Sequence, residues 1–74
     1  MNLKEIKAGE KAIVMKLTGE GATYRRLLDL GVTPGTEIEI KRIAPFGDPI
    51  IIKIRGYELS LIKEEAQKIQ IEKQ

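Results

Sequence analysis

Between Glu37 and Leu61, apolar and polar residues change places at almost every second position. In "EIEIKRI", Ile38 and Ile40 fall on one side while Glu37, Glu39 and Lys41 fall on the other. In "PIIIKIR", Ile50, Ile52 and Ile54 point inward, and Lys53 and Arg55 outward. In "YELSL", the inward set is Tyr57, Leu59 and Leu61. A period of two predicts three consecutive strands, each with one covered face. The alternation slips at Arg42-Ile43, which predicts a bulge or sharp bend. Ile51 is a misfit, an apolar residue on the polar face. "APFGD", Ala44 to Asp48, is a loop of turn formers, and Arg55-Gly56 reads as a tight reversal with glycine at positive φ.

The flanking segments break that period. Asn2 is placed to cap a single helical turn over Leu3 to Ile6, with Glu5 at its third position and Gly9 as the stop. Lys11 to Thr18, "KAIVMKLT", reads as a strand too apolar for clean alternation, with both faces largely covered. Gly19 and Gly21 then let the chain turn into a helix over Ala22 to Leu30. Tyr24, Leu27 and Leu28 share one face of it, and Leu30 lies beside Leu27. Leu27 and Leu30 read as core. Gly31 sits where a helix ends in left-handed backbone, and Pro34-Gly35 is the favoured centre of a type II turn. Gly31, Pro34 and Gly35 together form a bracket that sets the helix against the strand at Ile38. Ile62 to Gln67 is one more helical turn, and Lys68 to Glu72 a last strand with Ile69 and Ile71 inward.

Strand, helix, three meander strands, a single turn and a strand predict a mostly β fold. The expected architecture is a small, partly open SH3-like β-barrel of about five strands, with a short helix between strands 1 and 2. A chain of 74 residues is expected to be a single domain, 1–74.

Composition narrows the chemistry. There is no cysteine and no histidine, so disulfides, zinc-thiolate sites and the usual neutral-pH acid/base group are all missing. Ser60 is the only serine and has no base near it in sequence. The acids lie on outward faces, not in a pocket that would split a carboxylate pair. The expectation is that the chain is not an enzyme. "GEGATYR" lacks the spacing and the lysine of a phosphate-binding loop. Metal binding would rest on carboxylates and backbone carbonyls, which suit Mg²⁺ or Mn²⁺ better than tightly held Fe²⁺. Glu64 and Glu65 are adjacent on a turn and diverge. No metal residue and no cofactor are therefore assigned.

The charge, 13 basic against 11 acidic residues and a net of +2, is interspersed and mild. It does not announce a stable nucleic-acid complex. A single-strand-binding barrel is the alternative reading, and it would rest on Phe46 with Lys41 and Arg42. The amino terminus has no apolar signal core, and the apolar runs are about four residues long, far short of a span. The expected setting is the cytoplasm, with no membrane insertion.

Three segments in order, "LKEIKAGEKAIV", "RRLLDLGVTPGTEIEI" and "APFGDPIIIKIRGYELSLIKEEAQKIQI", resemble the FeoA (ferrous iron transport protein A) family over nearly the whole chain. The resemblance implies an SH3-like barrel. It also implies a small cytosolic accessory protein of bacterial ferrous iron uptake, acting on the permease FeoB, whose cytosolic region carries a GTP-binding domain. Within the family, metal binding has been suspected; this chain has no histidine or cysteine with which to hold iron. The residues expected to meet the partner are Tyr24, Arg25 and Leu28 on the helix and Phe46 on the hairpin, with Arg26 at the polar rim. Weak self-association through an open strand edge is a further expectation.

Overall fold

The alternation from Glu37 to Leu61 is realised as an antiparallel meander. The computed structural model describes residues 1–74. Its elements run in the order 3₁₀ turn Leu3–Glu5, β1 Lys11–Leu17, α1 Ala22–Asp29, β2 Glu37–Ile43, 3₁₀ turn Pro45–Gly47, β3 Ile50–Ile54, β4 Tyr57–Leu61, α2 Lys63–Gln67 and β5 Ile69–Lys73. The five strands form one antiparallel sheet in the order β4-β3-β2-β1-β5, so β4 and β5 are its two ends and the sheet is not closed. The bulge expected near Arg42 is present as a register shift between Ile40 and Arg42.

The covered face carries the core. Ile38, Ile40, Ile50, Ile52, Ile54 and Leu61 are all buried, and Leu3, Leu27, Val32 and Ile69 close over them. Burying branched aliphatic side chains on a pleated surface is what favours isoleucine in these strands. The opposite face carries a ladder of alternating charge. Lys11 of β1 lies opposite Glu39 of β2, Glu39 opposite Lys53 of β3, and Lys53 opposite Glu58 of β4. Cross-strand neighbours of opposite sign favour this pairing.

Two local expectations are corrected. β1 is not covered on both faces: Ala12 and Val14 are buried, Ile13 is half-buried and Met15 is 49% exposed. The register against β5 shifts between Val14 and Lys16, and this bulge leaves Met15 facing solvent. Tyr57 is not a core residue; it is 40% exposed at the start of an end strand, with its hydroxyl turned toward α1. Leu30, expected in the core, packs against it and is half-buried. The β3–β4 reversal has positive φ at Arg55 (49°) as well as at Gly56 (86°), the pairing of a primed two-residue turn that matches strand twist.

The two ends of the sheet differ. Along β5, the Ile71 amide donates to the Met1 carbonyl at 2.9 Å, and Asn2 bridges Gln70. Asn2 also caps the first turn: its side chain accepts from the Lys4 amide at 2.9 Å, and Glu5 accepts from the Asn2 amide at 3.2 Å. That cap directs Leu3 into the core. Along β4, no such segment is present.

Candidate partner-binding site

α1 ends in a Schellman motif. The Gly31 amide donates to the Leu28 carbonyl at 3.0 Å and the Val32 amide to the Leu27 carbonyl at 2.9 Å. Leu27 and Val32 are both fully buried, which supplies the apolar contact of that motif. Gly31 has φ 92°, and a Cβ there would lie 2.8 Å from the Cδ and Nε of Arg55. The positive φ favours glycine, and a larger residue would also push aside the Arg55 side chain. Gly35 follows at φ 89°, with the Thr36 amide donating to the Thr33 carbonyl at 3.1 Å, the pattern of a type II turn. Pro34 precedes it. The turn docks on β1, since the Gly35 amide donates to the Val14 carbonyl at 2.7 Å and the Val14 amide to the Thr36 carbonyl at 2.9 Å.

Arg55 fastens this bracket from the β3–β4 reversal. Its Nε donates to the Gly31 carbonyl at 3.0 Å, and its Nη2 to the hydroxyls of Thr33 and Thr36, both at 2.9 Å. The Tyr57 hydroxyl donates to the Leu30 carbonyl. At its other end α1 is tied to α2 by the Arg26–Glu65 ion pair. Glu65 is buried, and its charge has two partners: one oxygen faces Arg26 and the other accepts the Ile62 amide at 2.9 Å. α1 thus buries one residue fully, Leu27, and is otherwise positioned by polar ties.

These ties leave Tyr24 and Leu28 half-buried and Arg25 exposed on the helix. Phe46 is 99% exposed at the hairpin tip, and it stands at φ 70°. The helix and the hairpin do not touch each other as a single patch; α2 stands between them. Arg26 meets Glu65 on one flank of α2, and the Lys63 amide donates to Asp48 Oδ1 at 3.1 Å on the other. Ile62, at the start of α2, is 50% exposed and lies in this span. It was legible as a candidate, because after inward Leu59 and Leu61 the next residue falls on the opposite face. Arg26, expected at a polar rim, is committed to Glu65. Ile51, the apolar misfit on the outer face, is half-buried between Arg42 and Ser60 of the neighbouring strands.

The remaining surface offers little to a small ligand. One shallow depression is lined by Lys11, Lys53 and Arg55 interleaved with Glu37 and Glu39, so the cations face carboxylates rather than an open ion site. No three His, Cys, Asp or Glu side chains are grouped to hold a metal. Lys41 and Arg42, the cations nearest Phe46 in sequence, lie against Glu39 at 4.0 Å and Glu58 at 3.4 Å. A phosphate backbone would have to compete with those carboxylates. No helix is long and apolar enough to cross a membrane.

Comparison with known proteins agrees with this geometry. The FeoA domain family model matches residues 1–73. A Porphyromonas gingivalis protein, an Fe(2+) transport protein A/Fe(2+) transporter FeoB fusion protein, is 35% identical over 72 residues. That match takes in 97% of this chain and 8% of the relative, so the chain spans a small fraction of that protein's length. The solution structure of an FeoA-like protein from Clostridium acetobutylicum superposes with a TM-score of 0.91 at 41% identity, over 99% of this chain and 85% of that one. The zinc-complexed FeoA of Stenotrophomonas maltophilia superposes with a TM-score of 0.86 at 25% identity, covering 97% of this chain and 89% of its own. It is described as a prokaryotic SH3 domain protein and a candidate ferrous iron transport activating factor. With its open five-stranded sheet and bracketed helix, this chain belongs to the FeoA family of ferrous iron transport proteins, built on an SH3-like fold.

Proposed function

We propose that the chain is an accessory subunit of ferrous iron uptake that works by docking on the cytosolic region of FeoB. One observation carries the choice of partner: in the Porphyromonas gingivalis relative, the matching segment and FeoB are a single polypeptide. Fusion keeps the two at high effective concentration, which is useful when separate partners meet weakly. The docking surface is the free side of α1, with Tyr24 and Leu28 as apolar contacts and Arg25 as the polar rim. Phe46 is the second contact, and Ile62 lies between the two. Aromatic and arginine side chains with a polar surround are the usual make-up of such interfaces. A role in regulation follows if the domain favours one nucleotide state of FeoB, because binding shifts an equilibrium only by its difference in affinity for the two states.

The test is an amide NMR titration of this chain with the isolated cytosolic domain of FeoB, with and without a GTP analogue. Shifts are expected at Tyr24, Arg25, Leu28 and Phe46, and Leu28→Glu should weaken binding by about tenfold or more at a hot-spot cost near 1.4 kcal/mol. A nucleotide-dependent affinity makes the protein a regulator. Absence of any shift at high concentration sinks docking to that domain.

A further inference from the structure

We infer that the free edge of β4 pairs with the β4 edge of a second copy of this chain, in one register, to give a two-fold symmetric dimer. The inference does not rest on the docking of α1. It begins with the primed reversal at Arg55-Gly56, which makes Ile54 and Tyr57 the first hydrogen-bonded pair of the β3–β4 ladder. Such pairs alternate along an antiparallel ladder, so Leu59 and Leu61 also bond toward β3. The amide and carbonyl groups of Glu58 and Ser60 therefore point away from the sheet. No backbone hydrogen bond outside the strands takes them up, and β4 has no second neighbour. At the other end of the sheet, Met1 and Asn2 occupy the equivalent groups of β5.

The side chains on this edge choose among its own registers. Pairing must bring outward-pointing residues together, which confines an antiparallel self-contact to even-numbered partners. Glu58 opposite a second Glu58 sets like charges against each other and is disfavoured, and Ser60 opposite a second Ser60 aligns Glu58 with Ile62, whose amide and carbonyl are already taken by Glu65 and Ala66. Glu58 opposite Ser60, and Ser60 opposite Glu58, makes four backbone hydrogen bonds about a two-fold axis at Leu59. Each serine hydroxyl then faces a carboxylate, and Leu59 meets Leu59 on the covered face. Glu58 is already flanked by Lys53 in register and by Arg42 at 3.4 Å, so the neutral serine is a sufficient neighbour. Both Glu58 and Ser60 are exposed. α1 is tied to β4 through the Tyr57 hydroxyl, at the start of the strand. A second copy is thus an occupant that this edge fits by its own sequence.

Sedimentation of the full chain from micromolar to millimolar concentration reads the association. A concentration-dependent monomer–dimer equilibrium is expected, with amide shifts on dilution confined to Tyr57–Leu61. Ser60→Glu places a carboxylate opposite Glu58 twice and should raise the dissociation constant about tenfold, whereas Ser60→Lys should lower it by about threefold. Ser60→Pro removes one amide that points only outward, so it should abolish the dimer while the monomer keeps its β-sheet circular dichroism. A chain that stays monomeric at millimolar concentration overturns the proposal, and leaves the edge to a strand from a different protein. So does a dimer that is indifferent to all three substitutions, or one whose dilution shifts centre on Phe46 or α1.

Discussion

The side of the molecule around β5 and the side around α1 are held by different forces. At β5, the first residues of the chain are capped by Asn2, bonded to the strand edge and anchored by fully buried Leu3 and nearly buried Ile6. Apolar burial fixes that side. At α1, a single fully buried residue, Leu27, is supplemented by Arg55, Tyr57 and the Arg26–Glu65 pair. Polar ties fix that side, and each reaches the helix from its ends. The lesson is one of economy in exposure. A helix seated by burial alone would have to turn its apolar face inward. A helix strapped at both ends keeps a defined position while Tyr24 and Leu28 stay half open.

The comparison breaks most clearly at Leu3. Leu3→Ala should cost about 2–5 kcal/mol, the range for a fully buried leucine, and the loss should appear in global denaturant unfolding. Arg55→Ala is the counterpart on the other side. Its hydrogen bonds are solvent-exposed, so a loss of about 1 kcal/mol is expected. Amide exchange should speed up in α1 and at Gly31 and Val32 well before β5 is affected; a uniform loss of protection would show that the straps are not local. The smallest effect concerns Glu10, which accepts the Lys7 amide at 2.7 Å and pairs with Lys73 at the end of β5. The Lys73 ammonium, and after it the Lys7 amide, hold this carboxyl below its ordinary value of 4.5. A depressed carboxylate contributes stability above its unfolded value and loses it as pH falls through the folded one. The difference in Tm between the wild type and Glu10→Gln should therefore shrink as pH drops below 4.5.

Much of the fold is legible along the chain because its causes are local. The alternation of Ile38, Ile40, Ile50, Ile52 and Ile54 sets three strands, and the Asn2 cap, the Gly31 stop and the Pro34-Gly35 turn stand where backbone preference puts them. What escaped a reading by periodicity depends on distant partners. Arg55 reads as an outward strand residue, yet its three acceptors lie 19 to 24 positions away and are reached only once the hairpin has folded over the bracket. Tyr57 has the parity of a core residue, and its hydroxyl draws it to the rim. Met15 belongs to an unbroken apolar run, and only the bulge against β5 shows that it faces out. On the proposed docking surface, Phe46 is exposed as its loop position suggests, and Arg26, half exposed, is paired with a carboxylate 39 residues away.

The charge ladder has a consequence for how this sheet finds its alignment. Its covered face is nearly monotonous, with isoleucine following isoleucine along β2 and β3. A slip of one residue would turn that face to water, but a slip of two would place isoleucine on isoleucine again, and the interior would not register the error. The outer face does. Moving β2 two places along β3 one way sets Lys41 against Lys53; the other way it leaves Glu39 beside Ile51 with Glu37 in its place opposite Lys53, so the unbroken row from Lys11 to Glu58 forms only in the native register. The row Lys11, Glu39, Lys53, Glu58 thus behaves as a parity check written in charge, read during assembly by strands whose apolar sides cannot tell one rung from the next.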